Sequence, residues 1–537
     1  MSRRLALISI ILIALPLFAQ IEIKVNWTRP GREISPALCG VNVWGGFDAK
    51  VAENAKYQST LDDMNLGLIR LHSAESSNDS KEHPRGWVIK KEKRWDSDKI
   101  NAILTAFGDK RSRIMINIAN WPSWIDANGN GRLDATEFDA HADWCAQLVR
   151  IVNLEQGHAI RWWTPFNEAE GKVEGKAAGL AQLFIKCAAA MKAVDPTVLV
   201  GGGEWSQPWD DAGIDAFIAG AGSTMDFFTY HHYISGDANI ADIDVYNGAS
   251  GIAGRGSALR GKLKSAGLNI PLWLTEYNIF WSWEFDQQRG LQRGIKGAIF
   301  NALLFKGLAE AGQVDAALLW NDCDHTYGVM GSDYRKRPNT HWFALQNAYL
   351  SGKTVNSSSK ASALVSVLAV DAPTGKAVLL INKSEAAQAV NLVFTGWTPS
   401  SYQTHVITAA GYDVNTAPLA PWDAVSLPPL SLTLIHYPTE TSVAKASQLI
   451  RNHVLHPAFP NPFNPSTTIV FELATSGPAV LEVFDLNGRL IATLADGHLD
   501  AGRHVFFWNA TDRPSGVYFC RLTTPAVQIS QRMALLK

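Results

Sequence analysis

Eight short apolar runs, each followed by an amphipathic stretch, recur between Ile34 and His341. This alternation constrains the fold more than any other feature of the 537-residue chain. The runs are Ala37–Trp44, Leu66–His72, Arg113–Ala119, Ile160–Phe166, Val198–Gly203, Met225–Tyr230, Pro271–Glu276 and Val314–Trp320. Between them, stretches such as Phe138–Val152 and Ala177–Val194 repeat apolar residues at intervals of three and four, the spacing of one helix face. Eight strand–helix units over roughly 300 residues fit an α/β fold of the (β/α)8 TIM-barrel type, which needs about 250. The competing doubly wound sheet is disfavoured. No GxGxxG motif opens a helix, and Gly201–Gly203 runs into Glu204-Trp205, a poor phosphate loop.

The flanking segments read differently. Residues 1–20 have a basic start at Arg3 and Arg4, an apolar stretch from Leu5 to Phe18 and a small residue at Ala19, the pattern of a cleaved signal peptide. They are too short for a membrane span, and no comparable apolar run follows. We therefore expect a protein outside the cytoplasm with no stable membrane span. The barrel segment is assigned to 21–345 and a β-sandwich to 346–438, because short strand-like runs there are separated by Gly, Pro and Asn. Ile21–Trp27 is expected to add a strand to that sandwich. A polar linker at 439–455 leads to a last all-β block, 456–537, in which Asn487-Gly488 marks a hairpin turn. The five cysteines show neither CxxC nor Cys/His spacing, so a zinc site and a disulfide scaffold are both unsupported, and Cys145 and Cys187 read as core residues. A net charge of −2 gives no general attraction to nucleic acid.

In a (β/α)8 barrel the reactive side chains gather where the strands end, since the strand-to-helix loops open there. The fourth run leads into Phe166-Asn167-Glu168, and the seventh ends at Thr275-Glu276-Tyr277. Each places one carboxyl at the rim. Two facing carboxyls are what glycosidic cleavage requires: one protonates the leaving oxygen while the other, ionised, attacks the anomeric carbon. The Asn167 amide suits a sugar 2-hydroxyl. Glu75, Glu204, Asp322 and Asp324 are rival rim carboxyls, expected to bind substrate or to satisfy loops. Trp121, Trp124, Trp205, Trp281, Trp283 and Trp320 fall on predicted rim loops, where half are expected to stack sugars and half to pack.

These motifs resemble clan A of the retaining glycoside hydrolases, most closely in the style of families 39 and 51, over about 300 residues. In that clan an Asn-Glu pair ends strand four and a Glu ends strand seven. The resemblance implies Glu168 as acid/base and Glu276 as nucleophile. Arg70, in Leu68-Ile69-Arg70-Leu71-His72, is similar to the clan's strand-two arginine. His231-His232-Tyr233 resembles its strand-six group, and Trp320 its sugar platform. His72 joins these as a substrate-binding candidate. Arg70 and Tyr233 are expected to hold Glu276 ionised, lowering its pKa. The usual Trp-Asn-Glu-Pro appears here as Phe166-Asn167-Glu168-Ala169, a departure that bears on the wall beside Glu168.

A separate motif follows the third run. Asp126-Ala127-Asn128-Gly129-Asn130-Gly131-Arg132-Leu133-Asp134-Ala135-Thr136-Glu137 fits the twelve-residue EF-hand loop, with oxygen ligands at 1, 3, 5, 9 and 12, Gly at 6 and an apolar residue at 8. Asp126, Asn128, Asn130 and Glu137 would ligate Ca2+ by side chain, Arg132 by its carbonyl and Asp134 through water, in a structural role. The alternative is a turn feeding a helix, with Asp134 as N-cap and Glu137 at the capping-box position. No cofactor is expected for catalysis.

The last block, with Phe459-Pro460-Asn461-Pro462-Phe463-Asn464-Pro465 and Ser515-Gly516-Val517-Tyr518, is similar to the type A C-terminal sorting domains of the type IX secretion system. The resemblance implies export through that machinery, with release or surface attachment. Together these readings predict an exported retaining glycosidase acting on plant or algal polysaccharide or its oligosaccharides, as a xylosidase, arabinofuranosidase or endoglycanase. The alternative is a catalytically inactive barrel that binds glycans at the cell surface.

Overall fold

Each of the eight apolar runs holds a strand of one closed parallel barrel. In the computed structural model these strands are, in order, Gly40–Val43, Leu68–Leu71, Ile114–Asn117, Trp162–Thr164, Leu199–Trp205, Phe227–Ser235, Leu272–Phe280 and Ala316–Leu319. The eighth pairs with the first through Leu318 and Leu319 against Gly40 and Val41, which closes the ring. Each strand is followed by a helix, from Ala55–Met64 after the first to Pro338–Tyr349 after the eighth. The structure describes residues 20–72, 75–119, 121–399, 402–415, 425–438, 453–456, 458, 461–473, 477–499 and 502–537. Apart from Gln20, the expected signal segment lies outside these residues, as does the linker apart from 453–455.

The strands are mostly apolar because both faces are covered. Outward residues such as Ile69, Leu71, Ile114, Ile116, Trp163 and Val200 join the main core beneath the helices. Inward residues form a separate small cluster of Leu68, Met115, Phe227, Trp273, Ala316 and Leu318, with the Phe227 and Trp273 rings stacked at 4.1 Å. Side chains two positions further along a strand share the same face. Above this plug, Asn42, Arg70, Asn117, Thr164, Thr229 and Thr275 therefore form a second layer, fully buried and polar. The functional site stands on that layer.

The helix Lys176–Val194 is long and apolar enough to cross a membrane by length and composition, contrary to the expectation that no such run follows the leader. Its Leu180, Leu183, Phe184, Cys187 and Met191 are buried, so its hydrophobicity is that of a core helix.

Ile21–Glu33 lies outside the barrel, in a nine-stranded sheet between Lys353–Ser359, to which it is antiparallel, and Gln388–Thr395, to which it is parallel. The strand runs well beyond Trp27. Val365, Val367 and Ala369 share a core with Ile23, Val390, Leu427 and Ile435, residues from distant positions in the strand order, so the sheet folds over itself as a sandwich. The alternate residues Leu368, Val370, Leu379 and Ile381 join the barrel's core. Barrel and sandwich belong to one unit, Met1–Tyr437, and Pro438–Lys537 form a second.

The second unit is all β. A three-stranded sheet containing Ser466–Leu473 and Gly502–Asn509, and a four-stranded one ordered Leu490–Leu499, Gly477–Asp485, Gly516–Thr523, Gln528–Leu535, enclose Phe463, Phe471, Leu481, Trp508, Cys520 and Met533. The Asn487-Gly488 turn joins Gly477–Asp485 to Leu490–Leu499. The Asp485 side chain accepts from the backbone N–H of Asn487 and Arg489, and Gly488 adopts φ +78°.

Candidate active site

Arg70 organises the polar layer. A guanidinium with no exposure must be paired or its desolvation would be prohibitive. It donates to Glu276 Oε1 at 2.9 Å, to Asn42 Oδ1 at 2.7 Å and to Asn167 Oδ1 at 2.7 Å. It also lies 3.2 Å from Glu204 Oε2. His72 Nδ1 accepts from it at 2.8 Å, and burial holds this imidazole well below its ordinary pKa, hence neutral. With the Asn167 carbonyl oxygen committed to Arg70, its amide nitrogen is left to face other partners.

The two rim glutamates reach the site differently. Glu168 stands four residues beyond the fourth strand at φ +48°, its backbone N–H donating to the Glu204 carbonyl at 3.2 Å. Glu276 does not end its strand. The seventh strand continues to Phe280, and Glu276 sits within it, opposite His231 on the sixth. Glu276 Oε2 accepts from Tyr233 Oη at 2.8 Å. Oxygens of Glu168 and Glu276 approach within 4.8 Å of each other. Both line a cavity of about 520 Å³, shared with Asn167, His72, Tyr233 and Trp320.

His231 links the two sides of this cluster. Its Nδ1 lies 2.8 Å from Glu168 Oε1 and its Nε2 lies 2.8 Å from Glu204 Oε2. Carboxylates only accept, so both ring nitrogens donate and the ring is an imidazolium. Burial opposes that charge, but the carboxyls of Glu276, Glu168 and Glu204 outweigh it and raise the pKa to about 10. Glu204 is the deepest member, fully buried, and also accepts from Thr275 Oγ1 at 2.6 Å. Burial pushes its pKa up, yet Arg70, His231 and Thr275 together bring it down to about 2.

For Glu168, burial is likewise the largest single influence, and the His231 hydrogen bond and charge overcome it, leaving the pKa below the ordinary range. Glu276 goes the other way. Arg70 and Tyr233 contact it as expected, but burial is the larger influence and, with the nearby Glu168 charge, raises the pKa. The expectation of a depressed Glu276 is corrected: a buried carboxyl loses more from water than these two donors return.

The glycine run before Glu204 has a packing cause. A Cβ on Gly201 would lie 2.1 Å from the Phe227 ring, and one on Gly203, at φ +112°, would lie 2.3 Å from the Thr229 carbonyl oxygen. The fifth strand can press against the sixth only without side chains there, and this brings Glu204, at φ +42°, under His231. Sequence reasoning placed Glu204 among carboxyls that bind substrate or satisfy loops. The structure instead ties it to the functional cluster, and only the unusual Gly-Gly-Gly-Glu run hinted at it.

The other candidates divide. His232 alternates with His231 along the strand and sits edge-on at 6.0 Å to Trp209, which lines the same cavity as Glu168 and Glu276. Trp320 lines the cavity, its ring 4.5 Å from that of His72. Trp281 is exposed on the same cavity, whereas Trp121 and Trp205 are buried and Trp124 packs on Trp144. Asp322 accepts from the N–H groups of Trp44, Gly45 and Gly46 and from Tyr57 Oη, and Asp324 from those of Thr326 and Gly328, so both staple loops. The side chain of Glu75 lies outside the described residues.

In the loop at 126–137, Asp126 accepts from the N–H groups of Gly129 and Gly131, and Glu137 from those of Ala127 and Asp134. Asp134 and Glu137 form the capping box that the alternative reading anticipated. The donor set, Asp126, Asn128, Asn130, Asp134 and Glu137 with the Arg132 carbonyl, consists of hard oxygens and fits calcium by chemistry. Asn128 turns its amide nitrogen to Asp134 Oδ2 at 2.6 Å. A grouping the sequence did not reveal joins His141, Cys145 and Cys187 within 4.8 Å. Burial brings the pKa of His141 to about 4 and pushes that of the Cys145 thiol well up, so both of these are neutral.

The barrel with polar residues gathered at its carboxyl end defines a (β/α)8-barrel protein, and solved structures share that fold. A monomeric β-xylosidase from Caulobacter crescentus CB15 superposes with TM-score 0.59 at 15% identity, covering 79% of this chain and 100% of its own. An α-L-arabinofuranosidase from Thermotoga maritima gives 0.57 at 16%, covering 78% and 100%, and a GH30 endoxylanase from Clostridium papyrosolvens C71 gives 0.54 at 14%, covering 78% and 100%. At these identities the likeness is one of fold. Residues 457–535 match the family described as Secretion system C-terminal sorting domain, so the chain ends in a sorting domain. No match was found among curated proteins.

Proposed function

We propose that the protein is an exported retaining glycoside hydrolase in which Glu276 attacks the anomeric carbon and Glu168 protonates the leaving oxygen. The observation that carries this reading is the approach of the two carboxyls to within 4.8 Å inside one cavity. Double displacement uses carboxyls about 5–5.5 Å apart, whereas inversion needs about 6.5–9.5 Å to admit a water. The similarity in fold to enzymes named as a xylosidase, an arabinofuranosidase and an endoxylanase is consistent with it.

The proton needed by Glu168 is held on His231, 2.8 Å away. As the leaving oxygen gains charge, His231 passes that proton to Glu168, and Glu204 keeps the ring oriented through Nε2. The transfer neutralises both His231, whose charge lowers the pKa of Glu276, and Glu168, whose charge raises it, so the ionised nucleophile depends on the Arg70 charge and the Tyr233 hydrogen bond. Arg70 and Tyr233 hold the attacking carboxylate, and the free amide of Asn167 is placed to donate to a sugar hydroxyl. A barrel that only bound glycans would have no use for two buried carboxyls and a third, half-buried one arranged around one imidazolium. The sorting domain supports export through the type IX machinery, and we assign the 126–137 loop to a structural Ca2+.

A screen of nitrophenyl xylosides, arabinofuranosides and glucosides against the wild type and Glu276→Ala tests the mechanism. Turnover should fall by at least about a thousandfold in the variant and be partly restored by azide or formate, which replace the missing carboxylate. Wild-type rates in Glu276→Ala would remove it.

A further inference from the structure

We propose that a second cavity, on the far side of Trp320, binds sugar units that continue the chain on the glycone side of the bond cleaved, so that the protein cuts within neutral polysaccharide or oligosaccharide chains rather than removing single terminal sugars. The inference rests on the glycosidase reading above and adds its substrate class.

The orientation follows from the proton donor, which must face the leaving group. Ser206, Gln207 and Trp209, from the loop after the fifth strand, line the catalytic cavity together with Glu168, so the leaving group lies on that side. Trp320 lines the same cavity and stands against His72 and Trp44, with ring centroids 4.5 and 5.6 Å away. The glycone therefore extends towards Trp320. A site that accepts one terminal sugar ends in a wall at that point. Here Trp320 is shared with a further cavity of about 590 Å³.

The lining of that cavity has the chemistry of a sugar site. Trp44, Trp283 and Tyr327 offer aromatic faces, while Gln287, Arg293 and Asn321 offer hydrogen bonds. Trp44 is braced from elsewhere by the Arg85 guanidinium, 4.3 Å from its ring centroid. Asn321 is 1% exposed, and its Oδ1 has no hydrogen-bond partner. Trp283, by contrast, is 52% exposed, a large apolar surface left to solvent unless something stacks on it. Arg293 and Asp324 offset each other in charge, which suits a neutral chain over an acidic one.

Aryl glycosides vary the glycone side alone, because the aryl group fills the leaving-group side. We would compare kcat/KM for nitrophenyl xyloside, xylobioside and xylotrioside and for the matching glucoside series. In whichever series is turned over, kcat/KM should rise at least about tenfold from one sugar to two, since remote binding energy is expressed in turnover. Trp283→Ala and Arg293→Ala should remove most of that rise. A one-sugar glycoside that proves the best substrate, or a rise that survives both substitutions, overturns the proposal while leaving the catalytic reading intact. If no glycoside is turned over, the catalytic reading falls, and calorimetry with xylotetraose and cellotetraose decides the cavity alone. Binding by the wild type that Trp283→Ala loses supports the site, whereas no binding, or equal binding by the variant, overturns it.

Discussion

Replacing Glu204 by Gln tests whether His231 supplies the proton for catalysis. The change keeps the side chain's size and an oxygen for Thr275 and His231, and removes one charge. That charge lies 2.8 Å from His231 and 3.2 Å from Arg70, with no exposure to water. An opposite charge this close shifts a pKa by about 1–3 units, so the ring should fall from about 10 to between about 7 and 9. At pH 8 a ring with a pKa near 10 is about 99% charged, and the shifted ring between about 10% and 90%. The assay is kcat/KM against pH for a phenyl glycoside, whose leaving group needs a proton, and for a dinitrophenyl glycoside, whose leaving group does not. The alkaline limb should move down by about 1–3 units for the phenyl substrate and stay in place for the dinitrophenyl one. A limb that does not move, or one that moves equally for both, refutes the idea that the proton passes through His231.

Two further perturbations probe the supports of the site. Gly203→Ala forces a Cβ to within 2.3 Å of the Thr229 carbonyl at φ +112°, and should cost about 1–3 kcal/mol in denaturant unfolding and displace Glu204; unchanged stability would show that the fifth strand relaxes freely. Chelation should lower the melting temperature by about 2 °C or more if Ca2+ occupies the 126–137 loop, because an ion bound only to the folded state stabilises it, and an unchanged melting curve with no ion bound by the purified protein refutes that assignment.

The barrel was legible because its strands are buried on both faces, which makes each a short, mostly apolar run broken only where a residue such as Asn42, Arg70 or Thr275 enters the polar layer. Val314–Trp320 contains the strand Ala316–Leu319 for this reason, and the first four runs contain theirs, while the fifth, sixth and seventh strands run on past the ends of their runs. What was illegible lies where the pattern breaks. The seventh strand continues through Tyr277-Asn278-Ile279-Phe280, and Asn278 looks like a loop residue until its amide is found to donate to the Trp320 carbonyl. Ile21–Glu33 runs past Trp27 through Pro30 and Gly31, residues that read as a turn, with shifts in register at Pro30 absorbing them.

The site divides along the same line. Glu168 and Glu276 could be singled out because each follows an apolar run, and Asn167 beside one of them narrowed the chemistry. Glu204 could not, since a lone Glu after three glycines has no pairwise signature. Its meaning depends on His231, a residue of the neighbouring strand, and on a left-handed backbone that aims it beneath the ring. The consequence is a matter of proton count. Arg70 and a charged His231 carry two positive charges against the three carboxyls of Glu168, Glu204 and Glu276. Without Glu204, two carboxylates would only balance Arg70 and a charged ring, and the proton on His231 would be held less tightly. With Glu204 the excess carboxylate keeps His231 charged, and the proton stands beside the group that must deliver it.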